Sequence, residues 1–190
     1  QVMNSNPNFV PPGQGIDEWG CTWETFGDTM GEVTGHPLTD WSLFPEWKAK
    51  LPDMADPARY SSTVKARSEH PDKFIMGGLG MLMMGLIGLR GYQNYMEDFY
   101  LERRLLEELI DIVYEKASDQ IALYAGAGAD AVIAWEDWGL QDRLMIDPVL
   151  WRSMYKRRMT DMVSSIHDRG MKYILHSCGN ILDIIDDLIE

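Results

Sequence analysis

Two stretches decide the fold: Ala131-Val132-Ile133-Ala134-Trp135-Glu136-Asp137-Trp138-Gly139, and Lys172-Tyr173-Ile174-Leu175-His176-Ser177-Cys178-Gly179-Asn180. Each begins as a short run dominated by apolar residues and ends abruptly in polar residues and glycine. That is the pattern of a strand covered on both faces that runs out into a loop. Between them, Asp147-Pro148 has the form of a helix start, with Asp as N-cap and Pro in the first turn. The helix is predicted to run to Arg169 and stop at Gly170. Strand, polar loop, helix, strand is a βαβ unit, and it implies a parallel sheet.

Working upstream, Leu101 to Ala127 carries apolar residues at 105, 106, 109, 110, 113, 117 and 121. This spacing of three to four predicts one long amphipathic helix. Lys73 to Met76 reads as an earlier buried strand entering a glycine-rich loop, Gly77-Gly78-Leu79-Gly80. Downstream, Ile181 starts a further helix. Residues 1–72 hold eight of the nine prolines and read as loop-rich, with a helix over Pro57 to Glu69. The expected organisation is a single domain over 1–190, with regular βα units from 73 onward. Gly77 to Gly80 lacks the GxGxxG spacing of a dinucleotide site, which favours a (β/α)8 TIM barrel over a Rossmann fold. A whole barrel needs about 250 residues, so this α/β chain of 190 is expected to be an incomplete one. The opening Gln1 and the uncapped helical pattern at Glu190 are read as cut ends of a longer protein.

Composition narrows the function classes. The net charge is −13, from 30 acidic against 17 basic residues. Nucleic acid and anionic membrane would both be repelled by such a surface. The longest apolar run, Met81 to Leu89, is too short to span a bilayer, and no signal peptide is visible. Two cysteines cannot staple a secreted scaffold, so a reducing cytoplasm is expected.

In parallel α/β folds the chemistry sits at the C-terminal ends of the strands. Three places put unusual groups there. His176-x-Cys178 could turn an imidazole and a thiolate toward one centre, a donor pair that suits zinc. A buried cysteine beside a capping histidine explains the same residues without a metal. Cys21 is the only other cysteine, and its partnership is left open. Glu136-Asp137-Trp138 offers two carboxylates, one of which burial could make an acid/base group, and an aromatic wall. A solvated loop with one capping carboxylate is the competing reading. Asp17-Glu18-Trp19-Gly20, with Trp23 nearby, repeats the acid-Trp-Gly theme. Met76 to Met84 is read as core packing, and Arg152, Lys156, Arg157, Arg158 and Arg169 as a solvated helix face. No role is given to His36, His70 or His167.

Taken in order, these motifs resemble a known family. Asp137-Trp138-Gly139-x-Gln141, the helix from Asp147-Pro148 with Trp151, and Gly170-Met171-Lys172 leading to His176-Ser177-Cys178-Gly179-Asn180 are similar to the uroporphyrinogen decarboxylase superfamily. The branch they resemble is that of the corrinoid-linked methyltransferases. Asp17-Glu18-Trp19-Gly20, His36-Pro37-Leu38 and Leu89-Arg90-Gly91 fit the same pattern. The resemblance implies a (β/α)8 barrel with its site at the mouth. It implies zinc held by His176, Cys178 and a third cysteine beyond Glu190. It also implies a methyl group moved between a small-molecule donor or acceptor and a corrinoid (cobalamin) on a partner protein, and it admits a homodimer. Asp137, Glu136 and Asp17 are then the catalytic candidates, with Glu18, Trp19, Trp138 and Gln141 as substrate-binding candidates. The runner-up is a metal-free porphyrinogen decarboxylase, for which Asp17 could match the tetrapyrrole-binding acid. A non-catalytic ligand-binding barrel is the third.

Overall fold

The computed structural model describes residues 2–4, 14–27, 31–80 and 82–190. Its centre is a four-stranded parallel sheet. Strand β1 (Val2–Asn4) lies at one edge. A small antiparallel sheet follows, made of β2 (Gly15–Ile16), β3 (Thr22–Glu24) and β4 (Glu32–Gly35). The parallel sheet resumes with β5 (Phe74–Gly80), β6 (Ala131–Trp135) and β7 (Lys172–His176), in the spatial order β1-β5-β6-β7. Sequential parallel neighbours joined by helical crossovers are the construction of a (β/α)8 barrel.

The helices are α1 (Phe44–Lys48), α2 (Ser61–Glu69), α3 (Leu82–Arg90), α4 (Tyr92–Leu101), α5 (Arg103–Gly126), α6 (Pro148–Trp151), α7 (Arg157–Asp168) and α8 (Ile185–Ile189). In α5, Leu106, Leu109, Ile110, Val113, Ala117, Ile121 and Tyr124 are all buried, as the periodicity requires. Asp147 caps α6 through its carboxylate, which accepts the N–H groups of Val149 and Leu150 at 2.8 and 3.3 Å. A π-helical turn over Arg152–Lys156 joins α6 to α7. Its Tyr155 is fully buried, with its hydroxyl 2.5 Å from that of Tyr95. Gly170, at φ +75°, ends the unit.

Several expectations are corrected. The long helix predicted from Leu101 begins at Arg103. Glu102, at φ −132°, breaks it from α4, whose polar residues Gln93, Asn94 and Glu97 obscured the pattern. Gly77 to Gly80 is not a loop but the second half of β5. Glycine is required because a Cβ on Gly77 would lie 2.5 Å from the ring of Tyr124, which packs over the strand. The Pro57 helix starts as a 3-10 turn over Pro57–Tyr60, and the helix expected from Ile181 starts as one over Leu182–Ile184. The basic residues of the last helical pair are not merely solvated. Arg152 and Lys156 both pair with Asp187 at 2.8 Å, and Arg158 pairs with Asp111 at 2.6 Å. In the methionine-rich stretch Met83 is 1% exposed, while Met81 lies outside the described residues. Among the described residues no helix is long and apolar enough to cross a membrane.

One buried ion pair ties the first half of the chain together. Arg90 and Asp98 meet at 2.7 Å with side chains 4% and 5% exposed. The Trp41 indole N–H donates to Asp98 at 3.0 Å, and the Arg90 guanidinium lies 4.2 Å over the Trp41 ring.

Candidate functional site

Along β6, Val132, Ala134 and Glu136 are buried under the helices, while Ile133, Trp135 and Asp137 alternate onto the half-exposed face of the sheet. Parallel register pairs Ile133 with Ile174 and Trp135 with His176. The same face therefore carries His176 at the end of β7, with Cys178 two residues further on. Strand alternation, continued into the two loops that follow, brings one carboxylate, one imidazole and one thiol to the C-terminal end of the sheet.

Their donor atoms lie within 4.8 Å of one another. Cys178 Sγ is 3.5 Å from His176 Nε2, and His176 Nε2 is 3.8 Å from Asp137 Oδ1. A tetrahedral zinc ion with ordinary bond lengths separates its sulfur and nitrogen ligands by about 3.5 Å, and nitrogen from oxygen by about 3.4 Å. The thiol–imidazole edge already matches, and on the imidazole–carboxylate edge the gap of 3.8 Å exceeds the ideal by a few tenths of an ångström. The donor set of one N, one S and one O fits zinc, and three protein ligands leave the fourth position open, as in catalytic sites. Asp137 also holds the Cys178 thiol above its ordinary pKa by accepting its hydrogen bond and by its negative charge. Without a cation, this thiol is a poor nucleophile.

The two loops that carry these groups are stitched together. The Cys178 N–H donates to Asp137 Oδ1 at 3.1 Å, and the Gly139 N–H donates to the Cys178 carbonyl at 3.1 Å. The Trp138 N–H donates to Ser177 Oγ at 3.1 Å, and the Asn180 N–H to the Leu140 carbonyl at 2.7 Å. Gly139 and Gly179 are in backbone contact where the loops cross, and a Cβ on either would overlap the other chain segment.

The other predicted site residues are placed elsewhere. Glu136 is 0% exposed, so it does not share the open face with Asp137; strand alternation sends neighbours to opposite sides. Its carboxylate accepts the N–H groups of Leu82 and Met83 at 3.0 and 2.8 Å, at the start of α3. Burial pushes its pKa up to about 8, against the pull of those N–H donors. Trp138 is not a wall of the mouth. It is 2% exposed and packs edge-on against Trp151, with ring centroids 5.3 Å apart. Gln141 is exposed in the loop after β6.

Asp17, Glu18 and Trp19 belong to the β2–β3 turn. The Asp17 carboxylate is consumed by that turn, accepting from the Trp19 and Cys21 N–H groups at 2.9 Å each and from the Trp23 indole at 2.7 Å. Glu18 pairs with Arg59 at 2.6 Å, and Trp19 stacks on Trp47 over a cleft of about 340 Å³. Cys21 is 4% exposed, its thiol pushed up to about 12 by burial and by Asp17, and it is not part of the metal-competent group. Trp135, given no role from the sequence, is the neighbour of His176 on the same face. Its position two before Asp137 was the available signal.

Comparison with known proteins agrees with the architecture. The family model for uroporphyrinogen decarboxylase (URO-D) matches residues 68–190. A methyltransferase from Methanosarcina mazei has a similar structure, with a TM-score of 0.68 at 21% identity over 94% of this chain. The chain spans 52% of that protein, about half its length. No curated protein matches the chain.

Proposed function

The chain belongs to the uroporphyrinogen decarboxylase family, and from that premise we propose that it is part of a zinc-assisted methyltransferase acting with a corrinoid (cobalamin) carried on a partner protein. The observation that carries this reading is the convergence of Asp137, His176 and Cys178, with the thiol and imidazole already 3.5 Å apart. A decarboxylase that needs no metal has no use for that donor set. The Asp17 carboxylate, which could match the tetrapyrrole-binding acid of such an enzyme, is held by the Trp19, Cys21 and Trp23 N–H groups.

His176, Cys178 and Asp137 would hold the ion, with the Asp137 carboxylate as a donor in this chain beside the cysteine that the resemblance implies beyond Glu190. The chemistry a zinc ion supplies there is deprotonation of a bound thiol near neutral pH, or polarisation of a methyl donor's heteroatom. The protein's part is positioning. Trp135 offers an aromatic wall beside His176, and the stitched loops keep Cys178 and Asp137 in register. Chemistry at the C-terminal ends of parallel strands sits at the mouth of such a fold, the side from which a flat cofactor would approach.

The test is metal content of the protein purified without chelator, for wild type and for Cys178→Ser. About one zinc per chain, lost in the variant, supports the reading. Methyl transfer from a methylcobalamin to a small thiol is then measured on the loaded protein. Zinc-free wild type overturns the metal role, and turnover of a porphyrinogen in its place would favour the decarboxylase.

A further inference from the structure

We infer that Glu136 is the positioning residue of the candidate metal site, fixing Asp137 and His176 by anchoring the end of β6 to the first turn of α3. The inference rests on the metal reading above. The Glu136 carboxylate is away from the open face and is not among the donor atoms, yet the residue binds at both ends. Its own N–H donates to the His176 carbonyl at 2.8 Å, and its side chain accepts two N–H groups from residues 53 and 54 positions earlier in the chain. A fully buried carboxylate is costly unless such donors meet it. Helix starts supply them, with the positive end of the helix dipole behind. A buried side chain was not needed to close that turn, since the exposed Asp40, Asp56 and Asp147 cap helix starts elsewhere. What this carboxylate adds is a rigid tie between the backbone of a ligand-bearing loop and a core helix.

The geometry explains why the tie acts on the metal ligands. Residue 136 and residue 137 point to opposite sides of the sheet, so fixing one side chain to α3 sets the direction of the other toward the open face. His176 is held through its carbonyl in the same rung. Glu136→Gln puts an NH2, which cannot accept, in place of one of the two oxygens that meet the Leu82 and Met83 N–H groups.

The experiment measures zinc affinity of the full chain by chelator competition for wild type, Glu136→Gln, and Leu86→Ala. Leu86, fully buried on the same helix, is a control for destabilisation alone; thermal midpoints are recorded in parallel. The cobalt(II) spectrum is recorded as well, because its thiolate charge-transfer and ligand-field bands report coordination geometry. The expected result is a 10–100-fold loss of zinc affinity and an altered cobalt spectrum in Glu136→Gln. Leu86→Ala should keep both despite an equal or larger fall in melting temperature. If Glu136→Gln does not fold, Leu82→Pro removes one of the two donors from the helix side. Proline is tolerated in a first turn, and the same loss of affinity is expected. Zinc affinity in the Glu136 variant equal to that of the Leu86 control would overturn the inference while leaving the metal site standing. A wild-type protein that binds no zinc would overturn both.

Discussion

Gly139 and Gly179 touch backbone to backbone where the loops after β6 and β7 cross, one residue beyond Trp138 and one beyond Cys178. Gly179 also has φ +75°, a conformation that costs residues with a Cβ roughly 1–2 kcal/mol. Gly179→Ala should therefore lose at least that much stability, with the overlap against Gly139 added. Gly139→Ala, which is strained only by the overlap, should also spread the loops. Thermal melts and zinc titration of both variants check this. Undiminished zinc binding in both would show that the crossing does not set the site.

Ligand linkage gives a direct reading of the metal site. A ligand that binds only the folded state at a hundred times its dissociation constant adds about 2.7 kcal/mol of stability. Zinc should raise the melting temperature of the wild type, and chelator should reverse the rise. His176→Ala and Cys178→Ser should show neither change. A rise that persists in both variants would place the zinc elsewhere.

The buried pair of Arg90 and Asp98 should be among the most sensitive positions in the first half of the chain. Asp98→Asn leaves the guanidinium, 4% exposed, without its counter-charge and weakens the acceptor for the Trp41 indole. Breaking a buried pair from one side costs about 3–5 kcal/mol. Denaturant unfolding of Asp98→Asn beside a double variant with Arg90→Met tests it. The double variant should recover part of the loss, because no buried charge then stands alone.

Acid should undock the end of the chain. Asp187 accepts hydrogen bonds from Arg152 and Lys156, which hold its pKa down to about 2 from the usual 3.8. A carboxylate with a depressed folded-state pKa contributes stability that is fully present above its unfolded value and is lost as pH falls through the folded one. The contribution is thus intact near neutrality and disappears between about pH 4 and pH 2. Asp187→Asn should melt at a lower temperature than wild type near neutral pH, and the gap should close as pH approaches 2. A gap that is constant with pH would mean the interaction is not ionic.

Much of the architecture was legible in the sequence because it rests on local rules. The apolar runs at 131–135 and 172–176, Asp147-Pro148 and Gly170 each signal their element within a few residues. His176 and Cys178 were legible as a pair because strand alternation is also local. Less could be read where long-range packing overrides composition. Gly77 and Gly78 read as a loop because glycine is a weak strand former, but the Tyr124 ring, 47 residues away from Gly77, requires a strand without side chains there. The break at Glu102 and the helix over Tyr92–Leu101 were hidden because their apolar face is defined by neighbours far along the chain.

The sequence by itself determined the parallel βα construction, the acidic surface and the residue types available for chemistry, since periodicity, capping and charge need no distant contact. Only the tertiary structure divided the two adjacent carboxylates. Glu136 goes into the core to meet the N–H groups of Leu82 and Met83, and Asp137 goes to the open face with His176 and Cys178. Sequence adjacency says that the two point opposite ways, but which of them faces a helix start and which faces the site depends on where α3 packs.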